Sequence, residues 1–221
     1  MTYIDFTYKL LAQSLINDNK ILLLAPHCSM DEFFLEHTNE RLADVSSDST
    51  TDIIRFETER GAYIDVLDSN FDFFDILDGM IKETTSDFKY SRYDIIIASR
   101  ILEHIEFRKL DWFIALLSYN MKPNGLLHVI VPDMSKAAEE IFQLMEQPVI
   151  DSFKLQRLNF EIFNEGSKAW DRHATWTDRA TIKYYLEREG LFKVEAMQSI
   201  YLDGSKDVVS PNIHVIAKRT K

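Results

Sequence analysis

The chain has 221 residues, 46% of them hydrophobic and 12% aromatic, and this content excludes an intrinsically disordered protein. A formal net charge of -11 argues against nonspecific nucleic-acid binding and against an anionic membrane surface as a partner. The single cysteine, Cys28, excludes an internal disulfide and a cysteine-based zinc site. We therefore expect one domain over residues 1–221, with no nucleic-acid or membrane partner.

The location of the protein is predicted from two sequence patterns, the signal peptide and the membrane span. The first residues contain neither a basic segment nor a long apolar run, so no signal peptide is expected. No apolar stretch approaches the roughly 18 residues of a membrane span. The expected location is the cytoplasm.

Short apolar runs alternate with amphipathic stretches in the first half of the chain. Residues 20–25 (KILLLA) show no polar alternation, which is typical of a strand buried on both faces. Residues 63–67 (YIDVL) predict a strand by β-propensity, and residues 41–45 predict a shorter one. Helices are predicted over residues 31–39 and over residues 49–59.

The second half continues this alternation more regularly. Its predicted elements are strands at 93–99, 126–131, 192–200 and 213–218, and helices at 110–120, 135–147 and 177–189. We expect Ser135 and Thr177 to cap the last two helices. Gly204 and Pro211 separate the final two strands, which favours an antiparallel pair. The whole pattern predicts an α/β protein with a doubly wound sheet, whose ligand crevice lies at the carboxyl ends of the strands.

Residues 148–176 interrupt the alternation and hold several aromatic side chains in a polar background. One interpretation is a lid or an inserted helical segment over the crevice. The other is an ordinary long connection packed by its own aromatic residues.

The stretch YDIIIASRILEHI at residues 93–105 resembles the fourth-strand motif of class I S-adenosylmethionine-dependent methyltransferases. MKPNGLL at residues 121–127 is similar to that family's L-K-P-G-G-x-L turn, and LEREGLF at residues 186–192 is similar to its late L-x-x-A-G-F turn. The resemblance implies a Rossmann-like sheet of seven strands, mostly parallel with one antiparallel strand. It also implies S-adenosylmethionine as the cofactor and methyl transfer as the activity.

In that family a glycine-rich turn, (D/E)-x-G-x-G-x-G, follows the first strand and contacts the cofactor. In this chain Leu23 replaces the acid, and Ala25, His27 and Ser29 replace the glycines, which normally allow close approach of the backbone. Two interpretations follow. Either Ala25, Pro26, His27 and Ser29 contact the cofactor in an altered geometry, or the cofactor site is lost and the domain acts through protein contacts.

The resemblance implies further cofactor contacts at the ends of other strands. Asp44 lies about 20 residues after the glycine-poor turn, where the family's ribose-binding acid is expected, and Asp48 is a nearby alternative. Either of these acids is equally consistent with a solvated loop residue. Asp68 follows a predicted strand and would approach the adenine, and it is equally consistent with a turn residue. Ser99 and Arg100 end the fourth strand of the family pattern and are expected to face the crevice.

The segment around His173 resembles H-x-x-W segments of methyltransferases that modify saccharides and small metabolites. This resemblance implies that Trp170 and Trp176 line the acceptor pocket, and Asp133 is a further candidate for substrate binding because VIVPD at residues 129–133 resembles the family's fifth strand and its end. It makes His173 the candidate catalytic residue, because a near-neutral imidazole can deprotonate a hydroxyl acceptor. The alternative is a hydrogen-bonded turn histidine between two core tryptophans.

No metal site is expected. The acidic residues between positions 65 and 78 lack the EF-hand arrangement and are interpreted as a solvated surface. Glu103 and His104 are interpreted as a helix-start acid and a packing histidine in preference to a catalytic pair.

The sequence therefore supports two functional hypotheses. The first is an S-adenosylmethionine-dependent methyltransferase acting on a small-molecule or saccharide-type acceptor. The second is a catalytically inactive methyltransferase-like domain that binds a protein partner.

Overall fold

The structure is a computed structural model that describes residues 2–15, 18–24, 42–47, 53–58, 61–67, 93–163, 172–203 and 209–220. The strands are β1 (Lys20–Leu24), β2 (Leu42–Ser47), β3 (Ile53–Thr58), β4 (Tyr63–Leu67), β5 (Tyr93–Ser99), β6 (Met121–Pro132), β7 (Phe192–Asp203) and β8 (Val209–Arg219). The helices are α1 (Tyr3–Leu15), α2 (Leu110–Asn120), α3 (Met134–Met145), α4 (Ser152–Phe163) and α5 (Arg179–Glu187). Two 3-10 turns, Leu102–His104 and Phe107–Lys109, connect β5 to α2.

The described strands form a single mixed sheet in the order β2-β3-β4-β1-β5-β6-β8-β7. The central strands β4, β1, β5 and β6 are parallel, whereas β2-β3-β4 and β6-β8-β7 pair antiparallel. The predicted α/β class and the antiparallel final pair are confirmed. The resemblance implied seven strands with one antiparallel strand, whereas the described sheet has eight strands and two of them, β3 and β8, run against the other six. The sheet is therefore parallel only at its centre, with antiparallel pairs on both sides.

The predicted helix over residues 49–59 is wrong, since β3 occupies Ile53–Thr58. Phe56 and Thr58 are buried while Glu57 between them is exposed, which is the period of two expected of a strand. The β-branched pair Ile53 and Ile54 also favours extended backbone. The helix predicted over residues 31–39 lies outside the described residues.

Strand β1 shows how the centre of the sheet is buried on both faces. Ile21 and Leu23 pack on the side of α1, whereas Leu22 and Leu24 pack on the side of α2 and α5. Successive strand side chains point to opposite faces. The unbroken apolar run of β1 therefore follows from its position between two helical layers.

Part of the interrupting segment, residues 148–176, is helical. Helix α4 packs against α3 through a small apolar cluster that includes Leu144, Leu158 and Ile162. No described helix is both long enough and apolar enough to span a lipid bilayer.

The capping residues of two helices differ from those predicted. Asp133 caps α3 by accepting the Lys136 backbone N–H at 3.0 Å, and Asp178 caps α5 by accepting the Thr181 N–H at 2.7 Å. A carboxylate can satisfy these N–H groups and also interacts favourably with the positive end of the helix dipole.

Candidate active site

The strand order creates a switch point at the carboxyl ends of three parallel strands. Strand β1 is hydrogen-bonded to β4 on one side and to β5 on the other. After β1 the chain forms β2, β3 and β4 on one side of β1, and it then crosses to the other side to form β5. This reversal defines a switch point in the strand order. In doubly wound sheets, ligands bind in the crevice at such a point.

Several predicted site residues fall outside the described parts of the chain. These are Ala25, Pro26, His27 and Ser29 after β1, Asp68 after β4, and Trp170. By sequence position, the first four directly follow β1 and Asp68 directly follows β4, so both groups are attached to strands that border the switch point.

The observed strand order does not support Asp44 as the ribose-binding acid. Asp44 lies within β2, and β3 and β4 separate β2 from β1. The prediction assumed that the next strand after β1 in sequence is also its neighbour in the sheet. The neighbour is β4, so a ribose-binding acid by this argument would follow β4 instead.

Ser99 and Arg100 lie at the carboxyl end of β5, as predicted, but both side chains are engaged by the protein. Ser99 is fully buried, and its hydroxyl lies 3.0 Å from that of Thr7 in α1. The Arg100 guanidinium donates to Asn212 Oδ1 at 2.9 Å, and its Nε lies 3.1 Å from Glu103 Oε1.

Arg100 also marks a sharp change of backbone direction. Its φ of 58° lies in the left-handed region, which is uncommon for a residue with a side chain. Its N–H donates to the Ile130 carbonyl at 2.8 Å, which ties the turn to the end of β6. Such conformations often occur where a turn must present functional groups.

The turn after β5 is joined to the segment that carries His173. The Glu103 carbonyl accepts the backbone N–H groups of Ala174 and Thr175, at 2.7 and 3.1 Å. The buried Thr175 hydroxyl donates to the Ile105 carbonyl. These bonds hold His173 beside the turn in spite of its distance in sequence.

Glu103, His104 and His173 consequently form one cluster, which we call the Glu-His-His cluster. One carboxylate oxygen and one ring nitrogen from each histidine lie within 4.8 Å of one another. The two imidazole rings pack edge to face with centroids 5.0 Å apart. Glu103 is completely buried, and both ring nitrogens of His173 are shielded from solvent.

His173 is a site residue predicted from the sequence, but no sequence pattern connects it with Glu103 and His104. The available signal was the Glu-His pair directly after a buried strand, which was interpreted as packing. The contact itself depends on the hydrogen bonds of residues 173–175, which no local pattern encodes.

Asp133 and Trp176 lie at the carboxyl end of β6, on the same edge of the sheet. The Met134 N–H donates to the Thr177 carbonyl at 2.9 Å, which fixes the Trp176 segment next to the start of α3. Trp176 is 45% exposed, and its indole N–H donates to Asp178 at 3.2 Å. It is therefore not the core tryptophan of the alternative interpretation.

The carboxylate of Asp178 links these elements. Burial by itself would raise the pKa of Asp178, but hydrogen bonds from Thr181, Ser135 and Trp176 outweigh it and lower the pKa below its usual range. The group therefore stays ionised, as its capping role requires.

Comparison with solved structures agrees with this architecture. A SAM-dependent methyltransferase from Methanosarcina mazei superposes with a TM-score of 0.52 at 10% identity, covering 96% of this chain and 97% of that chain. The 1,6-didemethyltoxoflavin-N1-methyltransferase of Burkholderia thailandensis, solved with its namesake ligand and S-adenosylhomocysteine, gives 0.53 at 10% identity over 99% of this chain and 79% of that chain. A SAM-dependent methyltransferase from Anabaena variabilis gives 0.50 at 12% identity over 96% and 72%.

The chain has the Rossmann-like fold of class I S-adenosylmethionine-dependent methyltransferases. At these identities the likeness establishes the fold alone. No family model matches the sequence, and no curated protein matches it either.

Proposed function

We propose that this protein transfers a methyl group from S-adenosylmethionine to a small-molecule acceptor, which includes saccharide-type hydroxyl acceptors. The observation that carries this proposal is the switch point beside β1, because it lies at the edge of the sheet where β5 and β6 present charged and polar side chains. A methyltransferase fold with such an edge is suited to hold a nucleoside and an acceptor side by side.

The cofactor side of the crevice would be formed by residues 25–29 and Asp68. S-adenosylmethionine supplies a methyl group already activated by its sulfonium centre. The small side chains of Ala25 and Ser29 are compatible with close approach of the backbone. Ser99 and Arg100 would shape the crevice through the backbone turn, because Thr7, Asn212 and Glu103 already engage their side chains.

The acceptor side would be formed by Asp133, Trp170 and Trp176. The exposed indole of Trp176 offers an apolar face with a polar tip, which suits stacking against a planar or saccharide ring. The protein would mainly align the acceptor with the methyl group and exclude water. A base is needed only where the acceptor loses a proton, and His173 is the candidate.

A second candidate function is a protein-interaction module without catalysis. The substituted glycine turn favours it, and so does a group of exposed apolar side chains on α3 and the loop after it. Phe142 is 69% exposed, and Met145, Val149 and Ile150 lie exposed beyond it. Exposed apolar patches of this kind often mark contacts with other proteins.

Calorimetry with S-adenosylmethionine and S-adenosylhomocysteine separates the two functions. We expect saturable binding, and we expect Ala25→Trp and Ser29→Trp to abolish it by filling the crevice. Ser152→Trp, at an exposed position on α4, is the matched control and should bind normally. If millimolar cofactor gives no binding to the wild-type chain, the enzyme hypothesis is wrong and the interaction module is favoured.

A further inference from the structure

The Glu-His-His cluster has the donor set of a transition-metal site. It offers a carboxylate oxygen and two imidazole nitrogens, all within 4.8 Å of one another. Two histidines and one carboxylate are a common ligand set for Zn²⁺ and Fe²⁺, and three protein ligands leave at least one coordination position open. A tetrahedral ion needs ligand atoms about 3.4 Å apart, so modest side-chain rotation would close the site.

The carboxylate of Glu103 has an incomplete set of partners for a buried charge. Its side chain is completely buried, and neither of its oxygens accepts a hydrogen bond from the described residues. Its charge is compensated by the Arg100 guanidinium, whose Nε lies 3.1 Å from Oε1. A buried carboxylate is strongly disfavoured unless its charge and its lone pairs are both satisfied. A cation between Glu103 and the histidines would bind to the carboxylate lone pairs that accept no hydrogen bond from the described residues.

The orientation of His104 also suits metal binding. Its Nδ1 lies 3.3 Å from the Arg172 carbonyl oxygen. A carbonyl can only accept, so the hydrogen bond requires a proton on Nδ1 and leaves the lone pair of the neutral ring on Nε2. Histidines that bind metals commonly donate their second nitrogen to a carbonyl in this way.

Hydrogen bonds outside the three cluster side chains hold the two segments of the cluster together. The Glu103 carbonyl accepts two N–H groups from residues 174 and 175, and the Thr175 hydroxyl donates to the Ile105 carbonyl. The site is therefore preorganised on the turn after β5, next to the crevice.

We propose that Glu103, His104 and His173 bind one divalent transition-metal cation of the zinc type, and that its open position takes the hydroxyl oxygen of the acceptor. The role as acceptor ligand rests on the proposed methyltransferase function; the cation site itself does not. This proposal differs from the expectation that no metal binds. It also makes His173 a metal ligand rather than the base.

The methyl transfer requires no reactant besides S-adenosylmethionine, the acceptor and solvent water. Coordination lowers the pKa of the acceptor hydroxyl, whose proton passes to solvent water. The acceptor oxygen then forms a bond to the methyl carbon, the carbon–sulfur bond breaks, and its electron pair remains on sulfur. Nothing is oxidised or reduced.

The test uses the full chain after dialysis against a chelator. Zn²⁺ and Mn²⁺ are titrated by calorimetry, and Co²⁺ serves as a probe because its visible absorption reports its coordination. We expect one cation per chain in the wild type. Glu103→Gln and His173→Gln should each weaken binding by about tenfold or more. Glu106→Gln removes an exposed carboxylate of the same loop and should leave binding unchanged.

Absence of stoichiometric binding by the wild-type chain would overturn the cation site, and so would unchanged affinity in both cluster variants. If circular dichroism shows that Glu103→Gln is unfolded, the affinity of His173→Gln for the cation decides the test. That variant should fold because His173 is only half buried. Binding of S-adenosylmethionine is measured separately on the metal-free chain. Cofactor binding without metal binding overturns the cation site alone, and metal binding without cofactor binding overturns the proposed function alone.

Discussion

The backbone carbonyl of Glu103 accepts the N–H of Ala174 at 2.7 Å, and this bond joins the turn after β5 to the segment before α5. The two segments are far apart in sequence, yet they supply all three members of the Glu-His-His cluster. The geometry of the candidate site therefore depends on a few long-range hydrogen bonds.

Substitution of Thr175 should loosen this junction. Thr175→Val keeps the shape of the side chain but removes the hydroxyl that donates to the buried Ile105 carbonyl. We expect the free energy of unfolding to fall by about 1–2 kcal/mol, because a buried acceptor loses its donor. Urea denaturation measures the change. Thr220→Val removes an exposed hydroxyl that donates to the Gly190 carbonyl and should change stability less; equal losses would contradict the prediction.

Removal of Arg100 should leave a charge buried without its ion-pair partner. In Arg100→Met the fully buried Glu103 carboxylate loses the guanidinium at 3.1 Å. We expect a loss of about 3–5 kcal/mol in the free energy of unfolding, as is typical when one partner of a buried ion pair is removed.

Thermal and urea unfolding of Arg100→Met measure this loss. The matched control is Lys109→Met, because Lys109 forms only an exposed ion pair with Glu106 at 3.8 Å. Such pairs contribute about 0–1 kcal/mol. A similar effect in the two variants would show that the Arg100–Glu103 pair contributes little.

Two histidines should make the fold sensitive to acid. His128 on β6 and His214 on β8 stack with Nδ1 and Nε2 3.1 Å apart. Burial lowers the pKa of both to about 4, and the neighbouring His214 charge adds to the effect on His128. The folded state therefore favours the neutral rings, whereas the unfolded chain protonates them near pH 6.5.

Stability should accordingly be unaffected by this pair above about pH 6.5, decline as the pH falls towards 4, and level off below that value. We expect a loss of about 3–4 kcal/mol between pH 7 and pH 5, because each ring contributes a little under 2 kcal/mol. Urea denaturation at several pH values measures it. His214→Gln removes one titrating ring and should flatten the profile; a parallel profile would assign the acid sensitivity to other groups.

The first part of β6 should not tolerate a larger residue at position 125. A Cβ added at Gly125 would lie 3.0 Å from the backbone carbonyl oxygens of Asp94 and Lys122. We expect Gly125→Ala to destabilise the protein by about 1–3 kcal/mol, because backbone must shift to relieve the overlap. Thermal unfolding tests this.

Asn124, the preceding residue of β6, provides the contrasting substitution. Its φ is 65°, a conformation that glycine adopts without strain. Asn124→Gly should therefore be neutral or slightly stabilising in the same measurement. Equal destabilisation by both substitutions would indicate that this part of β6 is sensitive to any change rather than to the added Cβ.

Much of the fold could be predicted from local patterns. The unbroken apolar runs of β1 and β5 predicted buried parallel strands, and residues 110–120 were assigned as the helix that the structure contains. The prediction failed at residues 49–59, where β3 pairs with β2 and β4. Strand pairing outweighs weak local preference at such a segment.

The sequence by itself determined the class of fold, because hydrophobic periodicity decides which faces of each element are buried. It also identified His173 and the Glu103–His104 pair as separate features. Only the tertiary structure decided that β4 rather than β2 lies beside β1, which removes the basis for Asp44, and that the three side chains meet in one cluster. Both contacts depend on hydrogen bonds and packing between residues that are distant in sequence. A local sequence pattern does not specify such contacts.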